Sequence, residues 1–242
     1  MLRNLLLISN STNAGEEYLG WPREIIKSFL DKFGVKKVLF VPYAGVTITY
    51  DAYTEKVRTI FKTLGFELES VHEKAEPVKA VEKAQAVVVG GGNTFSLVDQ
   101  MHRQKLMDAI RKRALEGMSY VGWSAGSNVA CPSLKTTNDM PIVQPPDFSC
   151  LNLVPFQINP HYLDAHPDGH GGETREDRIM EFLTANPSVS VVGLREATAF
   201  MVEKATISLL GKRPLRFFQF GLEPREFAPG SDINFLLHKL DH

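Results

Sequence analysis

The segment Gly122-Trp123-Ser124-Ala125-Gly126 sets a serine between two glycines, directly after the apolar residues Tyr120 and Val121. A buried strand that turns sharply into a helix through G-x-S-x-G lifts the serine hydroxyl above the sheet. Glycines flank the serine because so tight a turn leaves no room for side chains. Ser124 would then stand at a helix N-terminus, with the backbone N–H of Ala125 aimed at the space where a carbonyl oxygen gains negative charge. The chemistry open to this arrangement is acyl transfer; the plainer role is a serine N-cap between turn glycines. A second cluster, Gly90-Gly91-Gly92-Asn93-Thr94, follows the apolar run Val87-Val88-Val89. Its N–H groups can cradle a phosphate or donate to an acyl intermediate, or the cluster can be a βα turn capped by Asn93 or Thr94. It lacks the Lys-Ser/Thr ending of a P-loop and the G-x-G-x-x-G spacing of a dinucleotide site, which weakens the phosphate reading.

A serine hydroxyl needs a base that takes its proton and returns it to the leaving amine, and histidine has the suitable pKa. Of the seven histidines, His72 and His102 lie in polar stretches and His238 and His242 in the last residues, which suggests solvated surface. His161, in Asn159-Pro160-His161 after the apolar Leu153 to Ile158, is better placed. It falls at the end of an expected strand, where the proline restricts the residue before it. His161, His166, His170 and Glu173 also raise the question of zinc. Their spacing does not match H-E-x-x-H, and Pro167, Gly169, Gly171 and Gly172 break any helix through them, so no metal site is assigned. The base needs a carboxylate to hold its tautomer. Asp139 lies between the serine and the histidine, and Glu196 follows the apolar run Val189 to Val192; the residues alone leave both open.

These groups need a frame. Apolar runs at Leu5 to Ile8, Val38 to Val41, Ala86 to Val89, Tyr120 to Gly122 and Val189 to Val192 suggest buried strands. Segments with helical spacing lie between or after them: Arg23 to Phe33, Ala52 to Leu64, Phe95 to Leu115 and Arg175 to Leu183. The alternation predicts an α/β fold, a mainly parallel sheet covered by helices on both faces, with its site at the carboxyl ends of the strands. Asn138 to Asp168 is aperiodic and rich in Pro, Asp, Asn and His, and a loop of that length suggests a functional role. Ala205 to Leu210 and Leu215 to Phe220 suggest an edge hairpin. The 242 residues, 43% hydrophobic and 23% charged, are expected to form a single α/β domain over 1–242. A formal net charge of −1 gives no broad attraction for nucleic acid or an anionic membrane. Two cysteines, no signal-peptide pattern and no apolar run near the roughly 20 residues of a membrane span point to a soluble cytoplasmic protein. The oligomeric state is open, and a homodimer is admitted.

Seven segments in order resemble the peptidase E family of α-aspartyl dipeptidases over nearly the whole chain. They are Leu7-Ile8-Ser9-Asn10-Ser11-Thr12, Pro42-Tyr43-Ala44-Gly45-Val46-Thr47, Gly90-Gly91-Gly92-Asn93-Thr94-Phe95, Gly122-Trp123-Ser124-Ala125-Gly126, Thr136-Thr137-Asn138-Asp139-Met140-Pro141, Asn159-Pro160-His161 and Gly172-Glu173-Thr174-Arg175. The resemblance implies a fold similar to the class I glutamine amidotransferases, with serine in place of their cysteine arguing against glutaminase activity. It implies cofactor-free hydrolysis of small dipeptides that begin with aspartate, through an acyl-enzyme on Ser124. His161 would be the base, Glu196 the triad carboxylate, Asp139 a residue needed for activity, and Gly92 and Ala125 the oxyanion donors. Selecting aspartate requires partners for a short desolvated carboxylate. Arg175 suits that role, with Thr137 and Asn138 in support; alternatively Arg175 pairs with Glu173 or Asp177. A hydrolase of other aspartyl substrates would share the triad.

Overall fold

The structure is a computed structural model that describes residues 2–164 and 171–238. In chain order it contains β1 (Asn4–Ile8), α1 (Arg23–Lys32), β2 (Lys37–Val41), α2 (Tyr50–Thr63), β3 (Glu67–Ser70), α3 (Pro77–Lys83), β4 (Ala86–Val89), α4 (Thr94–Arg103), α5 (Leu106–Leu115), β5 (Ser119–Trp123) and the short α6 (Ala125–Asn128). Then come β6 (Gln157–Tyr162), α7 (Arg175–Ala185), β7 (Ser190–Arg195), β8 (Thr198–Glu203), β9 (Thr206–Gly211), β10 (Leu215–Gln219) and β11 (Arg225–Phe227). The main sheet has the order β3-β2-β4-β5-β1-β8-β9. Its first five strands are parallel, and β8 and β9 are antiparallel at one edge.

The period of two along each strand divides the core. Leu5, Leu7, Leu39, Val41, Val87, Val89 and Tyr120 meet α4 and α5 on one face. Leu6, Ile8, Val38, Phe40, Val88, Val121 and Trp123 meet α1 and α2 on the other. Helices therefore cover both faces of a mostly parallel sheet, as the alternation of elements predicts.

Beside it stands a second sheet, β11-β10-β7-β6, in which β6 and β7 are parallel. Its residues Ile158, Val192, Leu194 and Phe217 belong to the same buried cluster as Leu5 and Val87, so the two sheets share a core. Ile179 and Leu183 of α7 cover its other side against Tyr162, Val191 and Phe218.

Two expectations change. The helix expected from Phe95 to Leu115 breaks at Lys105, which adopts a left-handed backbone with φ 57°. The break resets the helical phase, so that Leu97, Val98 and Met101 before it and Leu106, Met107 and Ile110 after it all face the core. The expected edge hairpin does not form. β9 pairs with β8 and β10 pairs with β7 and β11. Between β9 and β10 the chain crosses from one sheet to the other at Gly211, whose φ is 112° and where a Cβ would lie 2.3 Å from the Ala197 carbonyl oxygen. β3, α3, β8 and β11 were not among the expected elements; β3, with the residues Glu-Leu-Glu-Ser, has no apolar run to show it.

Two features of the second sheet make direct predictions. Gly193 lies opposite Asn159 on β6, and a Cβ there would come 2.6 Å from the fully buried Tyr162 ring. Gly193→Ala is expected to destabilise the protein by about 1–3 kcal/mol in urea unfolding, because a closely packed core must shift to accept the methyl. Arg195, 10% exposed, is ion-paired with Asp164 and Glu226. It is the first cause holding both carboxyls below the usual carboxylate range. Carboxyls lowered in the folded state add stability above their unfolded values near pH 4, and that contribution disappears as pH falls through the lower folded values. Arg195→Met is therefore expected to cost about 1–3 kcal/mol at pH 7, a range reduced for the half-exposed carboxylates, and to flatten the acid limb of stability against pH. Urea midpoints from pH 7 to pH 3 check both effects.

Candidate active site

The carboxyl ends of β1, β2, β4 and β5 deliver the first half of the site. Residues 120 to 123 are fully buried, and Ser124 follows with φ 53° and ψ −112°, a strained backbone for a residue with a side chain. The flanking glycines are sterically required. A Cβ on Gly122 would lie 2.3 Å from the Gly126 carbonyl oxygen, and one on Gly126 would lie 2.2 Å from that of Val89. The end of β1 clamps the turn: Ser124 N donates to Ile8 O at 3.0 Å, and Ser127 Oγ donates to the same oxygen at 2.6 Å.

The second sheet delivers the other half. The register of β6 against β7 shifts between Pro160 and Tyr162, which leaves His161 as the extra residue of a bulge, with φ 52°. A bulge re-aims a side chain. Here His161 Nε2 lies 2.9 Å from Ser124 Oγ, and His161 Nδ1 lies 2.8 Å from Glu196 Oε1. His161 N donates to Ser9 Oγ at 3.0 Å, and Ser9 Oγ donates to Leu194 O at 2.7 Å, so one hydroxyl joins β1, β6 and β7. Glu196 sits in the turn before β8, where Ala197 N donates to Asn10 Oδ1 at 2.8 Å.

Of the two carboxylates left open by the sequence, Glu196 faces the histidine. Asp139 Oδ2 instead accepts from Thr94 N at 2.7 Å, Thr94 Oγ1 at 2.6 Å and Thr137 Oγ1 at 3.0 Å. This places a negative charge on the first turn of α4, where the helix dipole favours it. Thr137, expected to support the substrate side chain, directs its hydroxyl to Asp139 and lies 3.0 Å from Thr94 Oγ1. Asn138 Nδ2 donates to Pro160 O at 2.7 Å, while Asn138 Oδ1 accepts from Asn159 at 2.7 Å and from Arg175 Nη1 at 2.6 Å. Asn138 therefore braces Arg175 against the strand that carries His161.

Arg175 pairs with neither Glu173 nor Asp177: Glu173 lies 3.7 Å from Arg178, and Asp177 caps Thr174. Among the described residues no carboxylate lies within ion-pair distance of Arg175. Burial is the first cause that lowers its pKa, aided by Arg178 and opposed by Asp139. Gly92, with φ 137°, passes so close to Ala44 that a Cβ would lie 2.2 Å from its carbonyl oxygen. The N–H groups of Gly92 and Ala125 have no hydrogen-bond acceptor among the described residues.

His166 and His170 lie outside the described residues, and the other two members of the expected four-residue cluster, His161 and Glu173, are turned to the partners given above. His72 and His102 are not simply solvated. His72 bridges Ser70 at 2.6 Å and Asp51 at 2.9 Å, and His102 lies 2.9 Å from Ser149 O. Among the described residues no helix is long and apolar enough to cross a membrane.

Ser124 and His161 open into a cleft of about 530 Å³. Its wall contains a relay of donors missed by the sequence reading. Trp123 Nε1 donates to Tyr18 Oη at 3.1 Å, Tyr18 Oη to Tyr53 Oη at 2.9 Å, and Tyr53 Oη to Gly91 O at 2.9 Å. Burial raises both tyrosine pKa values, so the relay stays neutral and fixes the elbow against the glycine turn. Tyr18 and Tyr53 carry no motif signal of their own; Ser9 and Asn10 fall in the segment Leu7-Ile8-Ser9-Asn10-Ser11-Thr12 that carries part of the family resemblance, but nothing in it shows what they hold. A second cleft, of about 510 Å³, lies beside β2 and α3. Of its lysines, Lys74 pairs with Glu69 at 2.7 Å and Lys79 with Glu76 at 2.6 Å. Among its described lining residues there is no serine, cysteine, threonine or histidine.

Comparison with known proteins bears on fold and descent. The model of Peptidase family S51 matches residues 5–210. A Nostoc protein named Peptidase E is 51% identical over 99% of this chain and 98% of its own length. A Streptomyces coelicolor protein of the same name is 48% identical over 97% and 95%. A crystal structure of a peptidase from an acI-B1 actinobacterium superposes with a TM-score of 0.70 at 19% identity, covering 96% of this chain and 97% of its own. A putative Peptidase E protein from Listeria monocytogenes gives 0.62 at 20% identity, covering 87% and 99%. Those two likenesses speak for the fold, and the family match and the two close relatives speak for descent: this chain belongs to peptidase family S51.

Proposed function

We propose that this enzyme is a serine dipeptidase that removes N-terminal aspartate from Asp-Xaa dipeptides, with the whole chain acting as one catalytic domain. The observation that carries the proposal is the continuous contact from Ser124 Oγ to His161 Nε2 and from His161 Nδ1 to Glu196 Oε1. Glu196 holds the proton on Nδ1, which leaves the Nε2 lone pair facing the serine. As Ser124 Oγ attacks the aspartyl carbonyl carbon, Nε2 takes the hydroxyl proton and Glu196 stabilises the imidazolium. The tetrahedral oxyanion accepts from the N–H groups of Gly92 and Ala125. His161 then gives its proton to the departing amine, and the C–N bond breaks. Water, deprotonated by the same imidazole, attacks the acyl ester, releases aspartate and restores Ser124.

Specificity falls to the half-buried Arg175, which has no carboxylate of the described residues within ion-pair distance. A substrate aspartate side chain supplies that carboxylate, and the brace from Asn138 fixes the guanidinium before it arrives. Asp139 Oδ1, which accepts no hydrogen bond within the described residues, is assigned the substrate's α-ammonium. The name Peptidase E carried by the relatives supports the peptidase part of this reading.

The test is hydrolysis of Asp-Leu beside Glu-Leu, Asn-Leu and β-linked Asp-Leu, with and without EDTA. Cleavage of α-linked Asp-Leu alone, resistant to EDTA, is expected; equal turnover of Asn-Leu, or loss of activity in EDTA, would overturn the proposal. Ser124→Ala is expected to fold normally and lose at least about 10⁴-fold in kcat. Asp139→Asn should act mainly through KM, raising it about tenfold, as the loss of a charge-assisted contact to the substrate amine predicts.

A further inference from the structure

An Asp-Xaa dipeptide carries two carboxylates, and Arg175 accounts for only one. Arg175 is not among the residues that line the Ser124 cleft; Lys56 is. Among the described residues of that lining, Lys56 is the one lysine or arginine, and none is aspartate or glutamate. Lys56 stands on α2 three residues after Tyr53, so the two share a helix face. Its ammonium lies 3.9 Å from the centre of the Tyr18 ring, a cation–π placement that positions the charge while leaving its donors available. Tyr18 is itself locked by Trp123 and Tyr53. Lys56 is exposed and has no carboxylate within ion-pair distance among the described residues, a state it shares with other surface lysines; its place in the Ser124 cleft sets it apart.

We infer that Lys56 binds the free carboxylate of the leaving residue and so selects dipeptides over longer or blocked substrates. The inference rests on the reading of this chain as an Asp-Xaa dipeptidase. In a dipeptide the terminal carboxylate lies only two bonds beyond the scissile nitrogen, on the opposite side of the scissile bond from the aspartyl side chain. Lys56 lines the cleft with Ser124 and His161, whereas Arg175 is held by Asn138 outside that lining, so the two cations stand apart as the two carboxylates of the substrate do. One added residue would move the carboxylate by roughly 3.5 Å and leave an uncharged amide facing the ammonium. The exposed apolar residues Val46, Ile48 and Ile142 line the same cleft and offer a surface for an apolar leaving side chain, which makes leucine the suitable probe.

The experiment compares kcat/KM for Asp-Leu and Asp-leucinamide, which differ only in the terminal charge. The wild type is expected to favour Asp-Leu, and Lys56→Met, which keeps the packing on Tyr18, should lower that preference about tenfold through KM. Lys56→Arg should keep most of the preference. An unchanged ratio in Lys56→Met, whether both substrates weaken together or neither does, would overturn the inference, as would a wild type indifferent to the amide. Failure of the wild type to cut Asp-Leu at all would strike the dipeptidase reading instead, so the two failures are distinct.

Discussion

The site depends on the register of β6 against β7. These two strands run parallel in a sheet separate from the one that carries the serine, and the extra residue between Pro160 and Tyr162 is the histidine that must reach across. Without the bulge, the strict alternation of strand side chains would turn His161 to one face of its own sheet. With it, the ring lies between Ser124 on the first sheet and Glu196 at the end of the second. The surrounding polar groups serve this placement. Ser9 ties the His161 amide and the Leu194 carbonyl to the end of β1, and Asn10 fixes the turn that holds Glu196.

Ser124 is held by close approach. The elbow packs its backbone against the Val89 and Gly126 carbonyls at distances that admit only hydrogen at Gly122 and Gly126. The positive φ of Ser124 is held by bonds from Ser124 N and Ser127 Oγ to Ile8 O. Backbone strain persists when its surroundings over-determine it. Trp123, Tyr18 and Tyr53 extend the same rigidity to the glycine turn, so the hydroxyl and the Gly92 amide keep a fixed relation before any substrate arrives. Such preorganisation is what allows hydrogen-bond donors to stabilise a developing charge without reorganising during the reaction.

Most of this was legible where function leaves a steric or chemical mark on residue types. Gly122, Ser124 and Gly126 announce the elbow because no other residues fit, and the alternation of apolar runs with helical segments announces the parallel sheet. The partner of His161 was not legible from the residues alone, because Asp139 and Glu196 are equally acidic and only the packing of β7 and β8 decides between them. The second sheet was hidden for a related reason: β10 looks like the mate of β9 in sequence, and the pairing is settled by where the chain turns after Gly211. The bond from Thr137 to Asp139 was not legible either, because a hydroxyl beside a carboxylate looks, in sequence, the same as one that faces a ligand. Lys56 left no signal, since one lysine on an exposed helix face has nothing to distinguish it until the Tyr18 ring is seen beneath it.

The central claim is that Ser124 is acylated by the aspartyl group. It is tested most directly by acid-quenching the enzyme during turnover of an aspartyl ester, whose good leaving group makes acylation fast, and locating the bound mass by tandem mass spectrometry. The account predicts an aspartyl group on Ser124, absent from Ser124→Ala. Turnover of the ester with no covalent species, or an aspartyl group on any other residue, would contradict it.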